Sequence, residues 1–197
     1  MSSRKAIPKK PLLQSNVLLR ILVRILFKDF VLDIVYEDSN ILIVNKPIGI
    51  EVVSSNSEKT LTNILKEKYS FVEPCHRLDR NTTGLVIFAK NKDALDIILD
   101  KFKSLEIEKH YKCTVYGIPK KNQETLIAYL FKDTKKSMVY ISNEPKIGYR
   151  KIITSYEVLK RNNDNNTSVL DITLHTGRTH QIRAHLAYIG YPIVGDR

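Results

Sequence analysis

Cysteine is scarce in this chain: Cys75 and Cys113 are the only two in 197 residues, and they stand far apart. No paired spacing links them, so the sequence carries neither a zinc-ligand motif nor a disulfide framework, and it fits a reducing cytoplasm. Long apolar runs are missing too. The longest, VLLRILVRILF at Val17–Phe27, is too short to cross a bilayer and holds Arg20 and Arg24 inside it, so no membrane span is expected. There is no internal repeat and no glycine-rich linker. Acidic residues are the other shortage, 21 Asp+Glu against 32 Lys+Arg, for a net charge of +11 and an isoelectric point near 9.6. That balance favours a polyanionic partner, most simply nucleic acid; a basic surface that serves only solubility has the same composition.

What is present is enough apolar material, 43% of residues, to bury a core in one domain or two small ones. From Asp33 onward, short strands alternate with two or three helices. DIVYEDSNILIVNKPIG reads as two strands about the turn EDSN, stopped by Pro47 and Gly49. TLTNILKEKYS reads as a helix with Thr60 as its N-cap, and GLVIFAK, Gly84–Lys90, as a buried strand. In NKDALDIILDKFKSLE, Leu95, Ile98, Leu99 and Phe102 recur at i, i+3, i+4 and i+7, which predicts one helix face. The remainder is mainly β: KHYKCTVYGI, TLIAYLF, SMVYIS, KIITSYEVLK and SVLDITLHT, with RNNDNN at Arg161–Asn166 as a hairpin tip. Such short connections predict an α+β fold, a mixed, largely antiparallel sheet with flanking helices. Residues 1–33 hold seven Lys+Arg against two Asp and make no strand-turn pattern continuous with the rest. They are expected to form a basic N-terminal extension.

Three strings carry chemistry. In HRLDRNTTG, His76–Gly84, Asp79 is the only carboxylate between Glu73 and Asp93, with Arg77 and Arg80 beside it in sequence. Cations within a few ångströms keep a carboxylate ionised, and an ionised, desolvated carboxylate acts as nucleophile or base. A surface Arg-Asp pair is the plainer reading of the same letters. In HTGRTHQIRAHLAYIGYPIVGD, Gly177 ends a strand and Thr179 is the expected N-cap of a helix carrying Ile182, Leu186 and Ile189 on one face. His180 and Arg183 then lie one turn apart and can face a common polar cavity, with Arg178 just ahead of the helix, a setting that suits phosphate. The same helix could equally pack on a sheet with its basic face in water. His180 and His185, five apart, fall on different faces, so a metal pair is not expected. In EKHYKCTVYG, Tyr111, Cys113 and Val115 share one strand face, where Tyr111 can stack on a planar substrate or simply fill a core.

Together, HRLDRNTTGLVIFAKN, KHYKCTVYG and TGRTHQIRAHLAYIGYPIVGD, preceded by VYEDSNILIVNKPIGI, resemble in order and spacing the motifs of the RluA family of RNA pseudouridine synthases, from about Ile34 to Asp196. The resemblance implies a pseudouridine synthase catalytic domain over 34–197, acting on ribosomal or transfer RNA without cofactor or metal, in the cytoplasm and as a monomer. It implies that Asp79 is the catalytic aspartate, that Tyr111 stacks against the flipped uracil and assists proton removal, and that Arg183 pairs with the aspartate in the closed site. Arg77 matches an arginine that handles the flipped RNA; Arg80, Arg178 and His180 are the further expected RNA contacts. Thr83 stands where the family often has serine, and Val53 where it commonly has histidine. The family continues past the Gly-Asp turn with a helix and a strand, so the catalytic domain is expected to be truncated at its C-terminus. Residues 120–151, with eight Lys+Arg against three Asp+Glu, are the expected auxiliary RNA surface. A non-catalytic RNA-binding protein is the alternative; a hydrolase of free nucleosides would need a second carboxylate and leaves the basic excess unexplained.

Overall fold

The computed structural model describes residues 24–27 and 30–196; most of the basic front stretch lies outside them. The chain divides into two compact units, up to Leu99 and from Asp100 on.

The first unit is built on a five-stranded sheet in the order β1-β2-β3-β5-β4: β1 (Arg24–Phe27), β2 (Phe30–Glu37), β3 (Ile41–Lys46), β4 (Glu73–Pro74) and β5 (Gly84–Ala89). β1 and the start of β2 lie inside the stretch 1–33 that shows no strand pattern in the sequence, and they pair as an antiparallel hairpin. The EDSN turn forms because the Asp38 carboxylate accepts the N–H groups of Asn40 and Ile41, both at 2.7 Å. Those two bonds hold the Asp38 carboxyl below its ordinary pKa. α1 (Leu61–Lys66) starts where expected, with the Thr60 hydroxyl accepting the Asn63 N–H at 3.2 Å. The core of this unit includes Leu32, Leu42, Val44, Val86 and Phe88 from the sheet and Leu61 and Leu65 from α1, all fully buried.

α2 (Lys92–Lys103) contains the point where the two units divide. Its buried side is centred nearer Ala94 than the sequence pattern suggests: Ala94 is buried, Leu95, Ile98 and Phe102 are half-buried, and Leu99 is 43% exposed. Each helical residue advances the side chain by about 100°, so a face centred between Ala94 and Leu95 leaves Leu99 at its rim.

The second unit is a second five-stranded sheet, in the order β6-β10-β9-β7-β8: β6 (Lys109–Tyr116), β7 (Gln123–Asp133), β8 (Met138–Ser142), β9 (Arg150–Asn162) and β10 (Thr167–Leu174). Every pairing of the named strands is antiparallel, so the expected α+β fold with largely antiparallel strands and flanking helices is met, with the strands divided between two sheets. The β9–β10 hairpin tip is where RNNDNN placed it, with the Asn162 side-chain oxygen accepting the N–H groups of Asp164 and Asn165. One face of this sheet packs on α3 (Gln181–Tyr188) through Val115, Leu126, Tyr156, Leu170, Ile172 and Leu186. After α3 the chain runs along the outer edge of β6, where Tyr116 N–H reaches Pro192 O at 2.9 Å and Val194 N–H reaches Thr114 O at 2.8 Å. Over Thr114–Tyr116 the edge no longer offers free backbone groups to a foreign strand.

Candidate active site

In the first unit, the aspartate loop joins β4 to β5. Its start is fixed where Cys75 N–H donates to Ile87 O at 2.8 Å and His76 Nε2 accepts the Ile87 N–H at 3.1 Å. Leu78 is buried beneath it, and Thr82 N–H closes a turn onto Asp79 O at 3.0 Å. Asp79 itself is half-buried.

The loop is fastened to residues 46–50 by reciprocal bonds. Gly49 N–H donates to Arg80 O at 2.9 Å, and Arg80 Nε donates to Gly49 O at 3.1 Å. Gly49 can do this because it sits at φ +88°, a conformation that L side chains resist. Between the two segments lies Lys46, fully buried, its ammonium donating to the carbonyls of Pro47 and Ile50 at 2.8 Å and of Arg80 at 3.2 Å. Burial pulls the Lys46 pKa down, and the Asp79 carboxylate pushes it back up. Lys46 is therefore a cationic neighbour of Asp79, where the sequence pattern offered Arg77 and Arg80. Both arginines are exposed. The sequence did hold a signal for Lys46: strand alternation puts it on the same side as Leu42 and Val44, all three buried.

In the second unit, Tyr111 lies on β6 opposite Ile172 and packs, half-buried, against the Val115–Leu186 core. Arg183, on α3, grips the Asp196 carboxylate in a fork, Nε at 2.8 and 2.9 Å and Nη2 at 2.7 Å. His180 and Arg183 share one cavity of about 410 Å³ with Tyr140, Tyr188 and Asp196. Arg178 is exposed and does not line it.

The helix start departs from expectation. The N-cap is His180, at φ +54° and without a side-chain cap, rather than Thr179. Gln181, to which the sequence pattern assigns no role, satisfies the turn instead. Its Oε1 accepts the Arg178 N–H at 3.1 Å and the Thr176 hydroxyl at 2.9 Å, while its Nε2 donates to Ile153 O and Thr154 Oγ1. A buried amide that satisfies the loop's polar groups makes a threonine cap unnecessary. His185 is buried on the far side from His180, its Nδ1 3.1 Å from Thr154 Oγ1, and burial depresses its pKa to about 4. Among the described residues no cluster of three or more His, Cys, Asp or Glu is placed to hold a metal ion, and no helix is long and apolar enough to cross a membrane.

A family model described as RNA pseudouridylate synthase matches residues 40–188. The dual-specificity RNA pseudouridine synthase RluA of Pasteurella multocida is 37% identical over 173 residues, spanning 84% of this chain and 76% of that protein. Ribosomal large subunit pseudouridine synthase D of Buchnera aphidicola is 37% identical over 174 residues, spanning 84% of this chain and 53% of that protein. Among solved structures, human RNA pseudouridylate synthase domain containing 1 superposes with a TM-score of 0.70 at 27% identity, covering 84% of this chain and 68% of that one. Two antiparallel sheets with a fastened aspartate loop thus go with an isomerase that acts on RNA. The chain belongs to the RNA pseudouridylate synthase family.

Proposed function

We propose that the chain converts uridine to pseudouridine in ribosomal or transfer RNA with Asp79 as its catalytic carboxylate. The observation that carries this is the aspartate loop: one carboxylate, held half-buried beside the buried ammonium of Lys46, on a loop cross-linked to residues 46–50. In the reaction the C1′–N1 glycosidic bond breaks, the uracil turns, a C1′–C5 bond forms, the proton on C5 leaves and N1 gains one. A single carboxylate serves either by attacking the sugar or by assisting formation of a glycal-like intermediate, so neither a second carboxylate nor a cofactor is called for.

Tyr111 offers an aromatic face for the flipped uracil and takes part in removing the proton; Arg183 takes the role that the family resemblance gives it at the aspartate. Exposed Arg77, Arg80 and Arg178, together with His180, hold phosphates while the nucleotide is turned out. Unstacking costs a few kcal/mol, and stacking on one aromatic ring returns about 1–3 kcal/mol. The name of the Buchnera relative supports ribosomal RNA as substrate, and the dual specificity in the name of the Pasteurella relative supports more than one RNA target. The protein works in the cytoplasm as a monomer.

The test uses RNA tritiated at uracil C5. Tritium release by the wild type, abolished in Asp79→Asn with RNA binding preserved, is the expected result. Equal release by Asp79→Asn would remove the aspartate from the chemistry. RNA binding without release by the wild type would turn the chain into a binding protein.

A further inference from the structure

Among the described residues, three lysines are withdrawn from solvent: Lys46, Lys90 and Lys109. The first two are compensated. Lys46 gives its ammonium to three carbonyls, and Lys90 pairs with the Glu37 carboxylate at 2.8 Å and with Asp38 O at 2.6 Å. The Lys109 ammonium has no hydrogen bond and no ion pair among the described residues. Its neighbour is the Phe102 ring, whose centroid is 6.0 Å from Nζ. Burial alone acts on this ammonium, and it pulls the pKa down. Partly dehydrating a charge without giving it a counter-charge costs folding free energy, which an arriving anion would recover.

The place of Lys109 says which anion. It opens β6 at the same parity as Tyr111, Cys113 and Val115, the withdrawn residues of the strand, whereas His110, Lys112, Thr114 and Tyr116 are exposed. Lys109 and Tyr111 are two residues apart on one side, about 7 Å, comparable to the span from a base to the phosphate of its own nucleotide. Lys109 pairs with Leu174 at the end of β10, and the chain then turns past it through Gly177 to Arg178. Gly177 has an ordinary backbone conformation, so its φ does not call for glycine. A Cβ there would lie 3.4 Å from Lys109 Nζ. The missing side chain leaves the ammonium open on that side, next in sequence to the exposed Arg178 guanidinium.

We infer that Lys109 is a phosphate contact: its ammonium, beside Gly177, takes an oxygen of the RNA phosphodiester next to the nucleotide that Tyr111 receives. This rests on the reading of Tyr111 as the platform for the flipped base.

The experiment compares the full chain with Lys109→Met, Lys109→Arg and Gly177→Val. It reads kcat and KM for tritium release from C5-tritiated RNA, and the RNA Kd across a series of salt concentrations. Lys109→Met is expected to raise KM and Kd on the order of tenfold and to make the plot of log K against log salt shallower by about 0.7–0.9, with kcat unchanged. Lys109→Arg restores the slope, because the charge is what counts. Gly177→Val keeps every charge but covers the ammonium, and it raises Kd as well.

An unchanged slope in Lys109→Met overturns the inference, as does a fall in kcat with KM and slope untouched. If Lys109→Met does not fold, Gly177→Val decides, and an unaltered Kd there overturns it. Tritium release by the wild type is read separately. Its failure with RNA still bound ends the pseudouridine reading, while the slope goes on judging the phosphate contact.

Discussion

A buried lysine with three carbonyl partners is a rigid object, and Lys46 makes the aspartate loop rigid in turn. Its ammonium holds Pro47 O, Ile50 O and Arg80 O together, so the backbone beside Asp79 cannot shift without breaking a charge-assisted bond. Replacing it with methionine keeps much of the volume and orphans the three acceptors. Lys46→Met is therefore expected to lose about 2–4 kcal/mol of stability, read as a lower urea midpoint at constant m-value, and to slow tritium release. Lys46→Arg should not rescue it, because a planar guanidinium does not fit a cage shaped for a point charge. A wild-type midpoint in Lys46→Met would show that the cage does not hold the loop.

At the scale of elements, α3 is joined to β9 by a buried polar network that includes its histidine. Thr154 Oγ1 accepts from Gln181 Nε2 at 3.0 Å and lies within hydrogen-bond distance, 3.1 Å, of His185 Nδ1. Burial depresses the imidazole pKa from 6.5 to about 4 and keeps the ring neutral near pH 7. Between those two values the unfolded chain binds more protons than the folded one. This contribution to stability is whole above pH 6.5 and is lost as pH falls towards 4, roughly 3 kcal/mol in total. His185→Gln, which keeps an acceptor for Thr154, should flatten the fall of the urea midpoint between pH 7 and pH 4; an identical pH profile in the two proteins would clear His185 of the effect.

The same network shows why some of the fold was legible in the sequence and some was not. Most of β2, with β3, β5 and β10, follows from apolar runs and alternation, and the turns EDSN and RNNDNN from Asp or Asn side chains that close them locally. α3 begins one residue late because its start is set by Gln181, whose partners on β9 are nearly thirty positions earlier in the chain. Lys46 escaped notice for the same reason. A lysine at a strand end reads as solvated until the turn after it and the aspartate loop fold their carbonyls around it. Likewise, alternation shows which residues face inward but not that β6 pairs with β10 rather than with β7.

For the whole molecule the governing quantity is the +11 charge, and one basic stretch among the described residues is the β7–β8 hairpin with the segment that follows. Lys132, Lys135 and Lys136 are exposed there, with the tip held by Asp133 Oδ1 accepting the N–H groups of Lys135 and Lys136 at 3.0 Å. Phe131 stacks between Tyr140 and Tyr149, with ring centroids 6.4 and 5.4 Å away, and Lys146 lies over the Tyr149 ring at 5.8 Å. Lysines interleaved with stacked rings are what a single-stranded or looped RNA backbone needs: counter-charge for phosphates and a flat surface for bases. Reversing Lys132, Lys135 and Lys136 to glutamate should weaken RNA binding and make the salt dependence shallower, by about 0.7 for each phosphate that is no longer neutralised. The kcat at saturating RNA should hold, since the aspartate loop is untouched. An unchanged salt slope would mean that the hairpin's charge faces only water, and the basic excess would have to be traced to another surface.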